Sequence, residues 1–356
     1  MEFSALKIPH KEELRQVLLE RFGRDIAEAS CHFSSRNYAF VFSQGCFPAA
    51  LRVSIGHDKS KADVISELMW VDDLRLSITT ISQVVTSLRD RIVEEFDFGS
   101  THYRATLFRK ANGDVLPPTH WNDAYFRNAG RLLGQIHRTS VAEYDMGFRY
   151  NRCHWQNKPS FQLQALVGCV PDPVLGAAQS LLAKIQALPQ EASYYNMIHG
   201  DYQMGNLFVD WDTVWVFDFD DCCYGFFMMD VGCCLHRWVT ERSFRPEVSR
   251  ENLLYGPGGI LEIFRAGYEE FYTLPNSQWA LLDDFLRLRT VESLVILEES
   301  QALPPDLMPI VKDALGSYLL APGSFCHGID ENIRQVQRNF STADLQNSGE
   351  KMLTQA

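Results

Sequence analysis

The sequence predicts an α+β chain in two lobes, a small N-terminal one rich in β-strand and a large, mainly helical C-terminal one. Three observations carry this. Residues 26–110 read as short β-branched and aromatic runs around a single helix. Turn residues then break the chain at Ala111-Asn112-Gly113-Asp114 and Pro117-Pro118. From Phe226 onward helical periodicity dominates. The boundaries expected are 1–112 and 113–345, with 346–356 a flexible polar tail that lacks the apolar periodicity to pack.

In chain order, residues 11–22 form an amphipathic helix, and Ala49–Ile55 reads as a strand carrying one basic residue, Arg52. Lys61 to Leu74 places Val64, Ile65, Leu68, Val71 and Leu74 at helical spacing, with Glu67 among them. After the break, a long helix runs through Gly130-Arg131-Leu132-Leu133-Gly134-Gln135-Ile136-His137. Asn206–Asp210 is a short apolar run, Trp211-Asp212 a tight turn, and Thr213–Phe217 a β-branched and aromatic run, so the segment reads as a hairpin. Trp279 to Gln301 is the clearest late helix.

Composition excludes several classes. The 356 residues include 46% hydrophobic ones, ample for buried cores, yet no run approaches a membrane span and no signal peptide leads the chain. Nine cysteines, with vicinal pairs Cys222-Cys223 and Cys233-Cys234, match no zinc spacing and read as buried free thiols of a cytoplasmic protein. The net charge of −12 is uneven, −1 over residues 1–115 and −11 over the rest, which argues against nucleic acid and anionic membranes. An acidic second lobe suits a cationic small-molecule partner, and it equally aids solubility.

The chemistry concentrates in His199-Gly200-Asp201-Tyr202-Gln203-Met204-Gly205-Asn206 and, twelve residues on, Asp218 in Val216-Phe217-Asp218-Phe219-Asp220-Asp221. An acid on a loop, an amide at the entry to a hairpin and a second acid on its return strand are what phosphoryl transfer from a magnesium-nucleotide requires. One carboxylate meets the attacking hydroxyl, while an amide oxygen and another carboxylate hold the metal that bridges the phosphates.

This pattern, H-G-D-x-x-x-x-N followed by V-F-D-F-D-D-C-x-Y-G and Asp230, resembles the aminoglycoside phosphotransferase and choline kinase group of small-molecule kinases. The resemblance implies the two-lobed protein-kinase-like fold, with Asp201 the catalytic acid/base, Asn206 and Asp218 the Mg2+ ligands, and Asp230 a structural acid bracing the catalytic loop. Arg52 and Glu67 fit the strand cation and helix glutamate that orient the phosphates of ATP or GTP, with arginine where protein kinases carry lysine. Ser35, in the polar turn Ser34-Ser35-Arg36-Asn37, stands where a glycine-rich loop would cover the phosphates, although that turn also reads as a plain hairpin. Leu107-Phe108-Arg109-Lys110-Ala111 would offer backbone contacts to the base, which makes Phe108 and Lys110 cofactor-site candidates.

Only eleven residues separate Asp218 from Asp230 and no A-P-E element follows, which leaves little from which to build a protein-substrate platform. The expected acceptor is therefore a hydroxyl of a small molecule, met by candidates Asp221, Tyr224, His236, Trp238 and Glu292. Two acceptor classes stay open: an amine-bearing antibiotic, or a metabolite such as choline, homoserine or a sugar. A nucleotide-binding pseudokinase scaffold is the alternative of another class. His137 reads as a packed or capping histidine, and the protein as a monomer or homodimer.

Overall fold

A computed structural model describes residues 7–33, 37–56, 59–142, 150–241, 243–300, 308–321, 323–327 and 329. Ser35 and the tail from Ser341 lie outside them. The chain divides into two compact units: Met1–Asn112 with Phe148–Arg152 and Trp215–Asp220, and Gly113–Gly147 with Cys153–Val214 and Asp221–Ala356.

The first unit holds α1 (Lys11–Phe22), β1 (Ser30–Phe33), β2 (Asn37–Phe42), β3 (Ala49–Ile55), α2 (Lys61–Arg75), β4 (Val84–Val85), β5 (Glu94–Phe98) and β6 (Thr101–Arg109). Its antiparallel sheet runs β1-β2-β3-β6-β4, with β5 also on β6. Alternation sends Phe40, Leu51, Val53, Tyr103, Ala105 and Leu107 into a core shared with Leu14, Leu18 and Phe22 of α1. The helix α2 starts with a capping box, Ser60 accepting from the Asp63 N–H while Asp63 accepts from the Ser60 N–H. Its Val64 and Leu68 pack with Val93 in a second, smaller cluster.

Residues 215–220 join this unit by backbone pairing. Val216 donates to the Thr80 carbonyl and its own carbonyl accepts from Ser82, and Phe219 meets Trp70 edge-on at 5.4 Å. This fastens the segment that carries Asp218 and Asp220.

The second unit holds β7 (Asp114–Val115), α3 (Asp123–Ala142), α4 (Asp172–Gln186), β8 (Tyr195–Ile198), β9 (Leu207–Asp210), β10 (Thr213–Val216, whose end passes into the first unit), β11 (Cys223–Phe226), α5 (Phe227–Thr240), α6 (Arg250–Tyr255), α7 (Ile260–Tyr268), α8 (Asn276–Trp279), α9 (Leu282–Ser300) and α10 (Met308–Leu320). The strands form two small antiparallel sets, β10-β9-β7 and β11-β8. Helix α3 approaches α7 so closely at Gly134 that any side chain there would overlap the Tyr268 carbonyl oxygen. That approach lets the Tyr268 hydroxyl reach His137 Nδ1 at 2.7 Å.

The late helix differs from expectation. Trp279 closes the short α8, and α9 begins only at Leu282. Around Leu281 the backbone bonds shorten to i→i−3, Leu281 to Gln278 and Asp284 to Leu281. Asp283 and Asp284 then stand in the first turn of the new helix, where carboxylates favour the macrodipole. The vicinal cysteines 222–223 and 233–234 are buried free thiols. Among the described residues no helix is long and apolar enough to cross a membrane.

Candidate active site

In the first unit, Arg52 on β3 and Glu67 on α2 form a two-pronged ion pair, Nη1 to Oε1 and Nη2 to Oε2, both at 2.8 Å. The planar guanidinium matches a carboxylate in this way, which a lysine would not do. Asp218 Oδ1 and Asp220 Oδ1 each lie 3.6 Å from Arg52 Nη1. Asp218 takes a left-handed backbone, φ 62, a conformation that aspartate tolerates better than most side chains. Its carboxylate is 46% exposed, whereas that of Asp220 is 13%. Asp220 is tied down by Asn37 Nδ2 at 3.1 Å and Lys59 Nζ at 2.8 Å, and its carbonyl accepts from Arg152. Burial opposes the Arg52 charge, but Glu67, Asp220 and Asp218 outweigh it and hold its pKa far above the ordinary value.

Phe108 lies on β6 with its ring 5.4 Å from the Arg52 guanidinium. The N–H groups of Arg109 and Lys110 are already bonded to the carbonyls of Gln83 and Pro48. Within the expected segment Leu107–Ala111, these two N–H groups are therefore engaged inside the unit.

In the second unit, the His-Gly-Asp loop leaves β8 and is held from below by Asp230 of α5. The two Asp230 oxygens accept from the His199 and Gly200 N–H groups, each at 2.8 Å, and His137 Nε2 stands 3.3 Å from Oδ2. Gly200, with φ 78, lies against the Asp221 carbonyl where a methyl group would collide. An asparagine in place of Asp230 would offer one acceptor to two N–H groups and turn its amide donor against the other. Asp230→Asn is expected to lower stability by about 2–4 kcal/mol, read as a drop in the urea midpoint.

The loop presents Asp201 beside Asn206, which closes a 3-10 turn ahead of β9. Asn206 Nδ2 donates to Asp201 Oδ2 at 2.9 Å and to the Asp201 carbonyl at 3.0 Å. With the amide nitrogen facing those two oxygens, Oδ1 points away from them. Among the described residues no three His, Cys, Asp or Glu side chains gather into a metal site.

The acceptor candidates separate by burial. Trp238 is fully buried against Phe126 and Phe264, and Tyr224 lies in the β8–β11 ribbon. Glu292 is engaged by Lys158, Ser160 and Arg289. His236 is buried with Nε2 3.0 Å from the Thr290 hydroxyl. Burial, with Arg289 and Arg237 nearby, pushes His236 down to about 3. Asp221 is half-buried, near Lys158 and Glu292.

The depressed His236 pKa means that the unfolded chain takes up a proton below about 6.5 that the native state refuses until about 3. Its contribution is present above 6.5 and lost as pH falls through that window, about 2 kcal/mol by pH 5. The urea midpoint should fall between pH 7 and pH 5, and His236→Phe should flatten that fall.

Arg289, Lys158 and Ser160 belong to no motif in the sequence. The one local signal was the i,i+3 spacing of Arg289 and Glu292 on a helix.

The sequence pattern of the phosphotransferase enzyme family matches residues 28–281. The chain belongs to that family. It is a small-molecule kinase that phosphorylates hydroxyl groups, not a nucleotide-binding scaffold. It is 24% identical over 284 residues to an amicoumacin kinase of Bacillus subtilis (strain 168), covering 80% of this chain and 83% of that protein. An amicoumacin kinase solved in complex with AMP-PNP, Ca2+ and Ami superposes with a TM-score of 0.77 at 21% identity, over 89% of this chain and 96% of that one. A microcompartment-associated aminopropanol kinase gives 0.69 at 21% identity, over 92% and 98%. A spectinomycin phosphotransferase with ADP and spectinomycin gives 0.52 at 13% identity, over 90% and 98%. The fold is accordingly the protein-kinase-like one of this family, an N-terminal antiparallel sheet followed by a mainly helical part.

Proposed function

We propose that this kinase moves the γ-phosphoryl group of ATP or GTP to a hydroxyl of an amine-bearing antibiotic. The observation that carries the reading is the Asp201–Asn206 side-chain pair on a loop fastened by Asp230. Asp201 accepts the hydrogen bond of the acceptor hydroxyl, orients it for in-line attack and takes its proton as the bond to phosphorus forms. Arg52, kept in place by Glu67, contacts the nucleotide phosphates. Asn206 and Asp218 are the residues that would hold Mg2+, which would supply charge neutralisation at the phosphates. A main-chain donor near Ala111 meets the base. Since the transition state for phosphoryl transfer is loose, positioning and charge carry most of the catalysis.

The amicoumacin kinase likeness supports an antibiotic acceptor, and the surplus of acidic residues after residue 115 suits an amine. The likeness to an aminopropanol kinase favours a second reading, a metabolic amino-alcohol kinase. Expression in an amicoumacin-sensitive host separates them. A rise in tolerance that Asp201→Asn abolishes supports the antibiotic reading. Unchanged tolerance, with phosphorylation of 1-amino-2-propanol by the purified protein, supports the metabolic one.

A further inference from the structure

The charged groups beside Asp201 form a closed ring within the second unit. Arg289 of α9 places Nη2 2.8 Å from Asp201 Oδ1 and Nη1 2.6 Å from Glu292 Oε2. The other Glu292 oxygen accepts from Lys158 Nζ at 3.1 Å and from the Ser160 hydroxyl at 2.9 Å. Lys158 Nζ in turn lies 3.3 Å from the Gly200 carbonyl, one residue before Asp201. The contacts thus run from the catalytic loop to α9 and back to the same loop. The Arg289 and Glu292 side chains are 16% and 7% exposed.

Gathering such charges out of water is costly, and apolar packing often serves stability as well or better. Nor does Glu292 depend on Arg289 for a partner, because Lys158 and Ser160 already hold it. The group for which Arg289 is the strong partner is Asp201. Around that carboxylate, Oδ1 takes Arg289 and a long 3.7 Å contact from the Cys233 thiol, which burial keeps neutral. Oδ2 takes Asn206 at 2.9 Å and a weak 3.4 Å contact from Gln203. Two strong donors on different oxygens fix the plane of the carboxylate. The weakly held lone pairs remain for an incoming hydroxyl.

We propose that Arg289 is a positioning residue for Asp201, anchored by Glu292 and Lys158, that sets the carboxylate in the orientation from which it receives the acceptor hydroxyl. The inference rests on the reading of Asp201 as the acid/base. A guanidinium is the group for this task, since its fixed fork spans two carboxylates, whereas a lysine ammonium is a point charge on a flexible stem.

The test compares Arg289→Met, Arg289→Lys, Arg289→Met with Glu292→Gln, and Asp201→Asn. Readouts are kcat, the KM for ATP and the urea midpoint. The acceptor is amicoumacin or 1-amino-2-propanol, or water in single-turnover hydrolysis if neither is used. Arg289→Met should lower kcat about 10²-fold with KM for ATP unchanged, the size expected for a misplaced catalytic group. Arg289→Lys should recover part of that loss, about 10-fold. Adding Glu292→Gln should restore the midpoint but not kcat, and Asp201→Asn should add little to Arg289→Met. A kcat near the wild-type value in Arg289→Met, or its return on adding Glu292→Gln, would overturn the proposal and leave a charge-balancing role. If Arg289→Met does not fold, Arg289→Lys decides, and an unchanged kcat there overturns it. Normal turnover of Asp201→Asn would instead sink the acid/base reading itself.

Discussion

Asp201→Asn is expected to lower turnover by about 10²–10⁴-fold while largely sparing nucleotide affinity. The side chain keeps its shape but loses its basicity and one acceptor. Wild-type Asp201 accepts from Arg289 on one oxygen and from Asn206 on the other. An asparagine satisfies only one of them and turns an N–H2 toward the second donor. The acceptor hydroxyl then meets neither a base nor a fixed carboxylate. The Arg52–Glu67 pair lies in the other unit and is untouched, which is why the nucleotide should still bind. Steady-state kinetics with titration of AMP-PNP reads both quantities. Equal losses in turnover and nucleotide affinity would point to a damaged fold rather than a missing base.

Asp218→Asn should act in the complementary way. Its carboxylate is the most exposed of the acids around Arg52, and Glu67 keeps the guanidinium in place without it. The fold should therefore stand, while Mg2+-dependent affinity for AMP-PNP falls at least about 10-fold. Affinity measured in EDTA should match the wild type. Calorimetric titration with and without Mg2+ checks this, and an unchanged affinity with Mg2+ would remove Asp218 from the metal site. Asp220, two residues on, is held by Lys59 and Asn37 and should be the worse donor to a cation despite the same chemistry.

The elements that local pattern dictates were legible in the chain. The first helix, the helix carrying Glu67 and the hairpin after Asn206 lie within a residue or so of expectation, because periodicity and turn residues act over a few positions. The family was legible for a related reason, since its motif is contiguous over the catalytic loop and hairpin. What stayed hidden depends on distant partners. The strand Asp114–Val115 lies within the expected linker and exists only by pairing with Phe208 and Val209. Residues 150–152 join the first unit through contacts such as Arg152 with the Asp63 carbonyl, which no local signal marks. Lys158 and Glu292 are separated by 134 positions and meet only in the folded chain. Helix α5 misled in another way. Nearly every residue from Phe227 to Val239 is buried, so no polar stripe shows which side chains face a ligand, and Trp238 and His236 proved to be packed inside.

The central claim is transfer of a γ-phosphoryl group to a small-molecule hydroxyl under the control of Asp201. The most direct measurement follows labelled γ-phosphate from ATP and GTP, with Mg2+, into a panel of amino-alcohols, sugars and antibiotics that includes amicoumacin, with Asp201→Asn alongside. The account predicts label on at least one amine-bearing alcohol with the wild type and about 10²-fold less or lower with the variant. Label transferred equally by both proteins, or only to protein side chains, would contradict it.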